Sequence, residues 1–88
     1  MDHSTIRSNL IALADVQNAD YPQYKGHFDN YVLVRLKKTI KTKMGTAFTA
    51  NELGIARPLD PKEPKWITVY SFHNKCNTSV RAEDVEVL

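Results

Sequence analysis

The sequence has one cysteine, three glycines and no long hydrophobic run. The lone thiol, Cys76, cannot form an internal disulfide or a two-cysteine zinc site, and it is typical of a reducing compartment. No segment approaches the roughly 18 apolar residues that a membrane-spanning helix needs. The longest apolar run near the N-terminus, residues 10–14, is too short for the core of a signal peptide. We therefore expect a cytoplasmic protein without membrane association.

Excess charge is also missing. The chain has 12 basic and 10 acidic residues, which leave a formal net charge of +2. This value is too small to indicate nucleic-acid binding, so that inference must depend on where the charges lie. The 88 residues fit a single domain, 1–88. A domain of this size buries only about 60–65% of its unfolded surface, so we expect a thin core.

A helix is predicted over about residues 4–17. Asp2 or Ser4 can cap its first turn, because a short side-chain oxygen accepts hydrogen bonds from free N–H groups there. Apolar side chains recur at helical spacing and form a stripe that must be buried. The stripe comprises Ile6, Leu10, Leu13 and Val16, widened by Ile11 and Ala14. It can cover the rest of this chain, a foreign partner or a second copy, the last as a homodimer through Ile6, Leu10 and Leu13.

Residues 18–30 form a predicted connector. Pro22 disfavours helix at the preceding residue, and Gly26 permits a turn. The connector carries three aromatic side chains, which we expect to fold back over the core. They are Tyr21, Tyr24 and Phe28.

The remaining residues, 31–88, carry strand patterns. Residues 31–43 predict one long strand, because apolar residues at positions 32, 34, 36 and 40 alternate with polar ones. Residues 66–72 are apolar on both faces, as in a central strand. Two asparagines, Asn74 and Asn77, favour left-handed backbone angles in a hairpin turn at 73–77. The other expected elements are a turn at 44–46, a strand at 52–57, a proline-rich loop at 58–65, a strand at 78–81, one helical turn at 81–84 and a last strand at 85–88.

This order of elements resembles the Src-homology-three-like superfamily of five-stranded small β-barrels. The ending Arg-Ala-Glu-Asp-Val-Glu-Val-Leu, residues 81–88, is most similar. In such barrels one 3₁₀ turn precedes a short closing strand, so the resemblance implies that Val85 and Val87 face inward. The implied fold class is mainly β, or α+β by content: a five-stranded small barrel at 31–88 with an N-terminal amphipathic helix.

Two related folds match less well. The peptide-binding branch of this superfamily has an Ala-Leu-Tyr-Asp-Tyr motif in its first strand, and this motif is absent here. That absence argues against a groove for proline-rich peptides of that type. An oligonucleotide-binding-type barrel is the alternative fold, but it normally carries a helix between its third and fourth strands.

No constellation in the sequence indicates catalysis or a metal site. His3, His27 and His73 lie in separate segments, without a helical His-Glu pair or a cysteine pair nearby. Cys76 and His73 share a predicted turn, but an exposed turn cannot exclude water from a nucleophile. We expect no enzymatic activity, no metal and no cofactor.

A basic strand face is the most informative feature. Residues 35–43 hold five cations and no anion. Four of them, Arg35, Lys37, Lys41 and Lys43, share the odd-numbered face, and Lys38 is the fifth. Alternate strand residues lie roughly 6.6–6.8 Å apart, close to the phosphate spacing of a single nucleic-acid strand. The stacking rings that single-strand binding also needs would be Tyr31, Trp66 and Tyr70.

The same lysines have an alternative explanation, because lysine commonly protects an edge strand against aggregation. Two function classes therefore stay open. The first is a small non-catalytic interaction or regulatory protein that docks on a protein partner through its barrel and helix. It includes a phage-type inhibitor that occludes a larger complex. The second is a small barrel that binds single-stranded nucleic acid through the basic strand face.

Overall fold

A computed structural model describes residues 2–88 of the chain, which fold into one helix and seven strands. The content is that of a mainly β, α+β protein, as predicted. Two short 3₁₀ turns, Pro22–Tyr24 and Ala82–Asp84, lie between these elements. The helix is α1 (His3–Gln17), and the strands are β1 (Val32–Leu36), β2 (Ile40–Thr42), β3 (Gly45–Phe48), β4 (Leu53–Ala56), β5 (Trp66–Ser71), β6 (Cys76–Arg81) and β7 (Val85–Val87).

Five strands form one curled antiparallel sheet, in the order β6-β5-β4-β1-β7. The curl makes the sheet a half-barrel, which is compatible with a small barrel. β2 and β3 form a separate two-stranded hairpin. The closing strand β7 follows the Ala82–Asp84 turn and pairs with β1, with Val85 opposite Leu36.

Strand β5 is apolar on both faces because it contributes to two cores. Ile67 and Val69 are buried in the first core cluster, inside the curl of the sheet. Tyr70 points to the opposite face and is buried in the second cluster. This alternation confirms the two-sided pattern that the sequence predicted. The other buried members of the first cluster are Val34, Leu36, Ala47, Phe48, Ala56, Val80 and Val85.

Helix α1 packs on the outer face of the sheet, against β1 and β4. Asp2 caps it, since its Oδ1 accepts a hydrogen bond of 2.8 Å from the backbone N–H of Thr5. The buried side is centred on Ala14, flanked by Leu10 and Ile11, so these three members of the predicted stripe face the sheet. A small residue at the centre permits close packing of helix on sheet. The other end of the stripe, Leu13 and Val16, is exposed, and Ile6 is half-buried.

The connector contributes one of its three aromatic side chains to the core. Phe28 is buried, with its ring centroid 5.0 Å from that of Tyr31 and 4.9 Å from that of Tyr70, both edge-to-face. Tyr21 and Tyr24 are exposed. The expectation that all three cover the core is therefore wrong for these two.

The long strand predicted over residues 31–43 is instead two strands in different sheets. The chain bends after β1, where the backbone N–H of Lys37 bonds to the carbonyl of Asp84 at 2.8 Å. β2 then runs into a tight turn at Lys43 and Met44. Gly45 ends that turn with φ of 103°, a conformation that only glycine adopts readily. The bend arises because β1 pairs with β4 and β7, whereas β2 pairs with β3.

Two finer expectations are also corrected. Val85 is buried as predicted, but Val87 is 58% exposed, since β7 is an edge strand of which only Val85 joins the first cluster. In the β5–β6 hairpin the turn lies at residues 72–75, and its left-handed residue is Lys75, with φ of 56°. Asn74, inside the turn, and Asn77, in β6, do not have positive φ.

Removal of one hydroxyl tests how strongly the helix is tied to the sheet. The Tyr70 hydroxyl donates to Gln17 Oε1 at 2.8 Å and accepts from Asn18 Nδ2 at 3.0 Å. We expect Tyr70→Phe to lower the free energy of unfolding by about 1 kcal/mol, because it removes both hydrogen bonds and leaves Gln17 Oε1 without its donor, whereas Asn18 Nδ2 keeps its bond to the Ala14 carbonyl. The measurement is urea unfolding followed by circular dichroism. Tyr21→Phe, an exposed control, should stay within about 0.5 kcal/mol of wild type. Equal effects of the two variants would contradict this role.

Candidate binding surface

Arg35 does not present a free charge, although it lies on the outer face of β1. Its Nε donates to Glu86 Oε2 at 3.0 Å, and its Nη2 donates to the same oxygen. Its Nη1 donates to Asn51 Oδ1 at 3.1 Å. The hydrogen bonds from Arg35, together with its charge, hold the pKa of Glu86 below its usual range. The structure therefore assigns Arg35 a partner on β7.

The other three cations of the predicted basic face are exposed. Lys37, Lys41 and Lys43 form no ion pair with any carboxylate among residues 2–88. Lys38 pairs with Asp84, with 3.3 Å between Nζ and Oδ2. Because the chain bends between β1 and β2, the cations do not line one flat strand as the alternation predicted.

Two of the three proposed stacking rings lie inside the protein. Tyr31 is 3% exposed and donates its hydroxyl to Asn77 Oδ1 at 3.1 Å. Tyr70 is 1% exposed, and burial raises the pKa of its hydroxyl. Neither ring offers a face to a base, because both form part of the second core cluster. Only Trp66, at 45% exposure, remains as a stacking surface among the three.

Trp66 is the first residue of β5 and lies opposite Arg81 of β6. The Arg81 guanidinium carbon is 5.2 Å from the ring centroid, which is a cation–π contact. A hollow of about 300 Å³ opens beside the ring, between Ser79–Arg81 on one side and residues 38–41 on the other. We call this region the Trp66 surface. Its members are Trp66, Arg81, Ser79, Ile40, Lys41 and the ion-paired Lys38 and Asp84.

The sequence does not indicate Arg81 as a site residue, because its asparagines predict the hairpin turn at 73–77 rather than at 72–75. The β5–β6 register follows from a turn at residues 72–75, which sets Trp66 opposite Arg81. A turn at 73–77, as the asparagines suggested, shifts the pairing and separates the two side chains. In hairpins the turn fixes the register, so the correct turn would have indicated this pair.

The turn residues that might suggest chemistry have other contacts. The His73 ring lies 3.2 Å from Glu52 Oε1, so its partner is a carboxylate rather than the Cys76 thiol. Across residues 2–88, no three His, Cys, Asp or Glu side chains lie close enough to hold a metal ion. Within the same residues, α1 is neither long nor apolar enough to cross a membrane.

Comparison with known proteins adds no family to this description. A scan against protein-family models, a search of curated proteins and a search of solved structures all gave no match to the chain. What the protein does is therefore inferred from its own surface.

The Arg35–Glu86 pair predicts a pH dependence of stability. The pKa of Glu86 in the folded state is below the ordinary value of about 4.3. The pair therefore stabilises the fold above that value, and its contribution is lost as pH falls through the lower, folded pKa. We expect Glu86→Gln to lower the urea midpoint at pH 7 and to lose this difference progressively below about pH 4.

The control is Glu83→Gln, which removes an exposed carboxylate on the Ala82–Asp84 turn. Its midpoint difference from wild type should not change in the same pH range. A Glu86→Gln difference that is equally large at pH 7 and pH 3 would show that the ion pair does not contribute.

Proposed function

We propose that the protein is a small, non-catalytic interaction protein that docks on a protein partner. The observation that carries this proposal is the Trp66 surface. An exposed indole with a guanidinium on its face combines the two side chains most enriched at binding hot spots. The adjoining hollow is shallow and bordered by Lys41, an exposed cation. Such a surface suits contact with another macromolecule.

The helix supports the same proposal from another part of the molecule. Leu13 and Val16 are exposed on α1, and Tyr21 and Tyr24 are exposed on the connector. The rings of Tyr21 and Tyr24 contact each other, with their centroids 6.1 Å apart, and adjoining exposed apolar side chains commonly mark interaction sites. Docking through both the sheet and the added helix accounts for these side chains. Occlusion of a larger complex, as by a phage-type inhibitor, is one form of such docking.

A Src-homology-three-like barrel is the fold that we propose in finer detail. Its support is the five-stranded curled sheet together with the Ala82–Asp84 turn, which leads into the closing strand β7 on β1. Fold alone does not determine function, so the docking proposal depends on the surface residues.

Affinity capture from the cells of origin tests the docking function. We expect wild-type protein to retain a protein partner at a stoichiometric level after nuclease treatment, because the contact is between proteins. Trp66→Ser should reduce that retention. Met44→Ser, which alters another exposed apolar residue on the β2–β3 turn, is the matched control and should not. Failure to retain any protein, or retention that nuclease abolishes, would contradict protein docking.

Single-stranded nucleic-acid binding is the second candidate function. The observation in its favour is that Lys37, Lys41 and Lys43 are exposed cations that form no direct ion pair among residues 2–88, although the charge of Lys37 acts on Glu86 at longer range. It is weaker than docking because one stacking ring is available instead of three, and because Arg35 is held by Glu86. Base stacking supplies much of the affinity of small single-strand binders.

A charge reversal distinguishes this second function. If the lysines contact phosphates, wild type should bind labelled single-stranded DNA or RNA at about 50 mM salt, with affinity falling steeply as salt rises. Lys37→Glu with Lys41→Glu should abolish that binding. Lys25→Glu with Lys62→Glu changes the net charge equally on the connector and the proline-rich loop, and it should preserve most of the binding. Undetectable wild-type binding, or binding that survives the first pair, contradicts the function.

A further inference from the structure

The curled sheet has one long open edge, and we propose that this edge, the outer side of β6, binds an extended acidic segment of the partner protein as an added strand. The inference rests on the proposed docking function and names its site, its mode and the chemistry of the partner. We call the outer side of Cys76–Arg81 the β6 edge.

The two edges of the sheet differ in length and in pairing. β7 has three residues, and the following residue bonds back to β1, since Leu88 N–H donates to the Leu33 carbonyl at 3.0 Å. β6 has six residues, all of which pair with β5 on its inner side. On its outer side, the backbone of Cys76–Arg81 has no hydrogen bond to any other residue of 2–88. The β6 edge is therefore the long unpaired one.

The register identifies the backbone groups that point outward. Ala82 N–H donates to the Lys65 carbonyl at 2.9 Å, so residues 65 and 82 form a hydrogen-bonded pair. Such pairs alternate along an antiparallel ladder, which places the bonds to β5 at Val80 and Thr78. The remaining residues present their N–H and C=O groups to the outside. They are Asn77, Ser79 and Arg81.

The β6 edge lacks three of the features that commonly prevent strand addition. Exposed edges are commonly protected by proline, by lysine or by a bulge. β6 contains no proline and no lysine, and its register with β5 runs without a shift from Cys76 to Arg81. A regular, unprotected edge is the template on which an extended peptide adds by main-chain hydrogen bonds.

The charges beside the β6 edge favour an acidic occupant. Arg81 lies at one end of the strand, and Lys75 directly precedes the other end. Lys41 lies across the hollow of about 300 Å³ that borders Ser79–Arg81. The carboxylate at this hollow, Asp84, is already paired with Lys38. An incoming segment with alternate glutamate or aspartate residues would supply the missing anions.

Other occupants fit this edge less well. A second copy would pair β6 with β6 in antiparallel fashion, which brings the Lys75 end of one strand beside the Arg81 end of the other. Like charges at opposed strand positions are destabilising. A nucleic acid has no peptide groups, so it would leave the outward N–H and C=O groups of β6 without hydrogen-bond partners.

Fluorescence and amide exchange can detect the added strand with a defined probe. The probe is an end-blocked octapeptide that alternates glutamate and valine, at concentrations up to about 1 mM. Trp66 is the only tryptophan and borders the hollow, so its emission should change on binding. The amides of Asn77, Ser79 and Arg81 should gain protection against hydrogen exchange. An octapeptide that alternates lysine and valine should have neither effect.

Two substitutions at one position separate the backbone from the side chain. Ser79→Pro removes an outward N–H but no bond to β5, and proline is tolerated in edge strands with that orientation. We expect it to weaken binding of the acidic peptide by about tenfold or more. Ser79→Ala keeps the N–H and should bind like wild type. If Ser79→Pro does not fold, protection of the three outward amides in wild type decides the question.

Three results with the purified protein would overturn the inference, and a fourth comes from the cellular partner. The first is absence of protection at the outward amides with the acidic peptide. The second is equal binding of the lysine peptide or of single-stranded oligothymidylate with the same protected amides. The third is protection of these amides in the absence of peptide, in a dimer of twice the 10.0 kDa chain mass. A second copy would then be the occupant of the edge. If Ser79→Pro and Ser79→Ala retain a cellular partner equally, docking stands and the β6 edge is excluded as its site.

Discussion

The structure depends on one strand that is buried on both faces. Side chains alternate along β5, so Ile67 and Val69 enter the core inside the curled sheet while Tyr70 enters the core outside it. A sheet with two apolar faces needs a second cover, and α1 with Phe28 supplies it. The helix is therefore part of the folding unit. The Tyr70 hydroxyl links the two layers through Gln17 and Asn18.

The candidate binding surface lies at the start of β5, where the strand is exposed rather than buried in the two cores. Trp66 is the first residue of β5, half in solvent, and the β5–β6 register sets Arg81 against its ring. The same register leaves the outer side of β6 without a backbone partner. The Trp66 surface thus lies at the end of β5, and the unpaired backbone lies along the outer side of β6. The middle residues of β5 are buried in the two cores. A rigid scaffold behind the surface limits the entropy lost when a partner binds.

Local patterns predicted much of this fold. The capping residue Asp2, the two-sided strand β5 and the closing turn before β7 are all present. The pattern could not indicate the bend after β1, because lysine and threonine continue a strand as readily as they end it. Nor does it tell which apolar face a helix covers, so Tyr31 and Tyr70, which the sequence offers as candidate stacking rings, are instead buried.

The pairing of β1 with β7 also bears on how the chain folds. It joins residues about fifty positions apart, whereas β5 and β6 are joined by the short turn at residues 72–75. Closing a long loop costs more conformational entropy than closing a hairpin. We therefore expect the β5–β6 hairpin to form early and the β1–β7 contact late, with a folding rate typical of sheet proteins rather than of helical bundles. The last step to form would be the one that completes the curl.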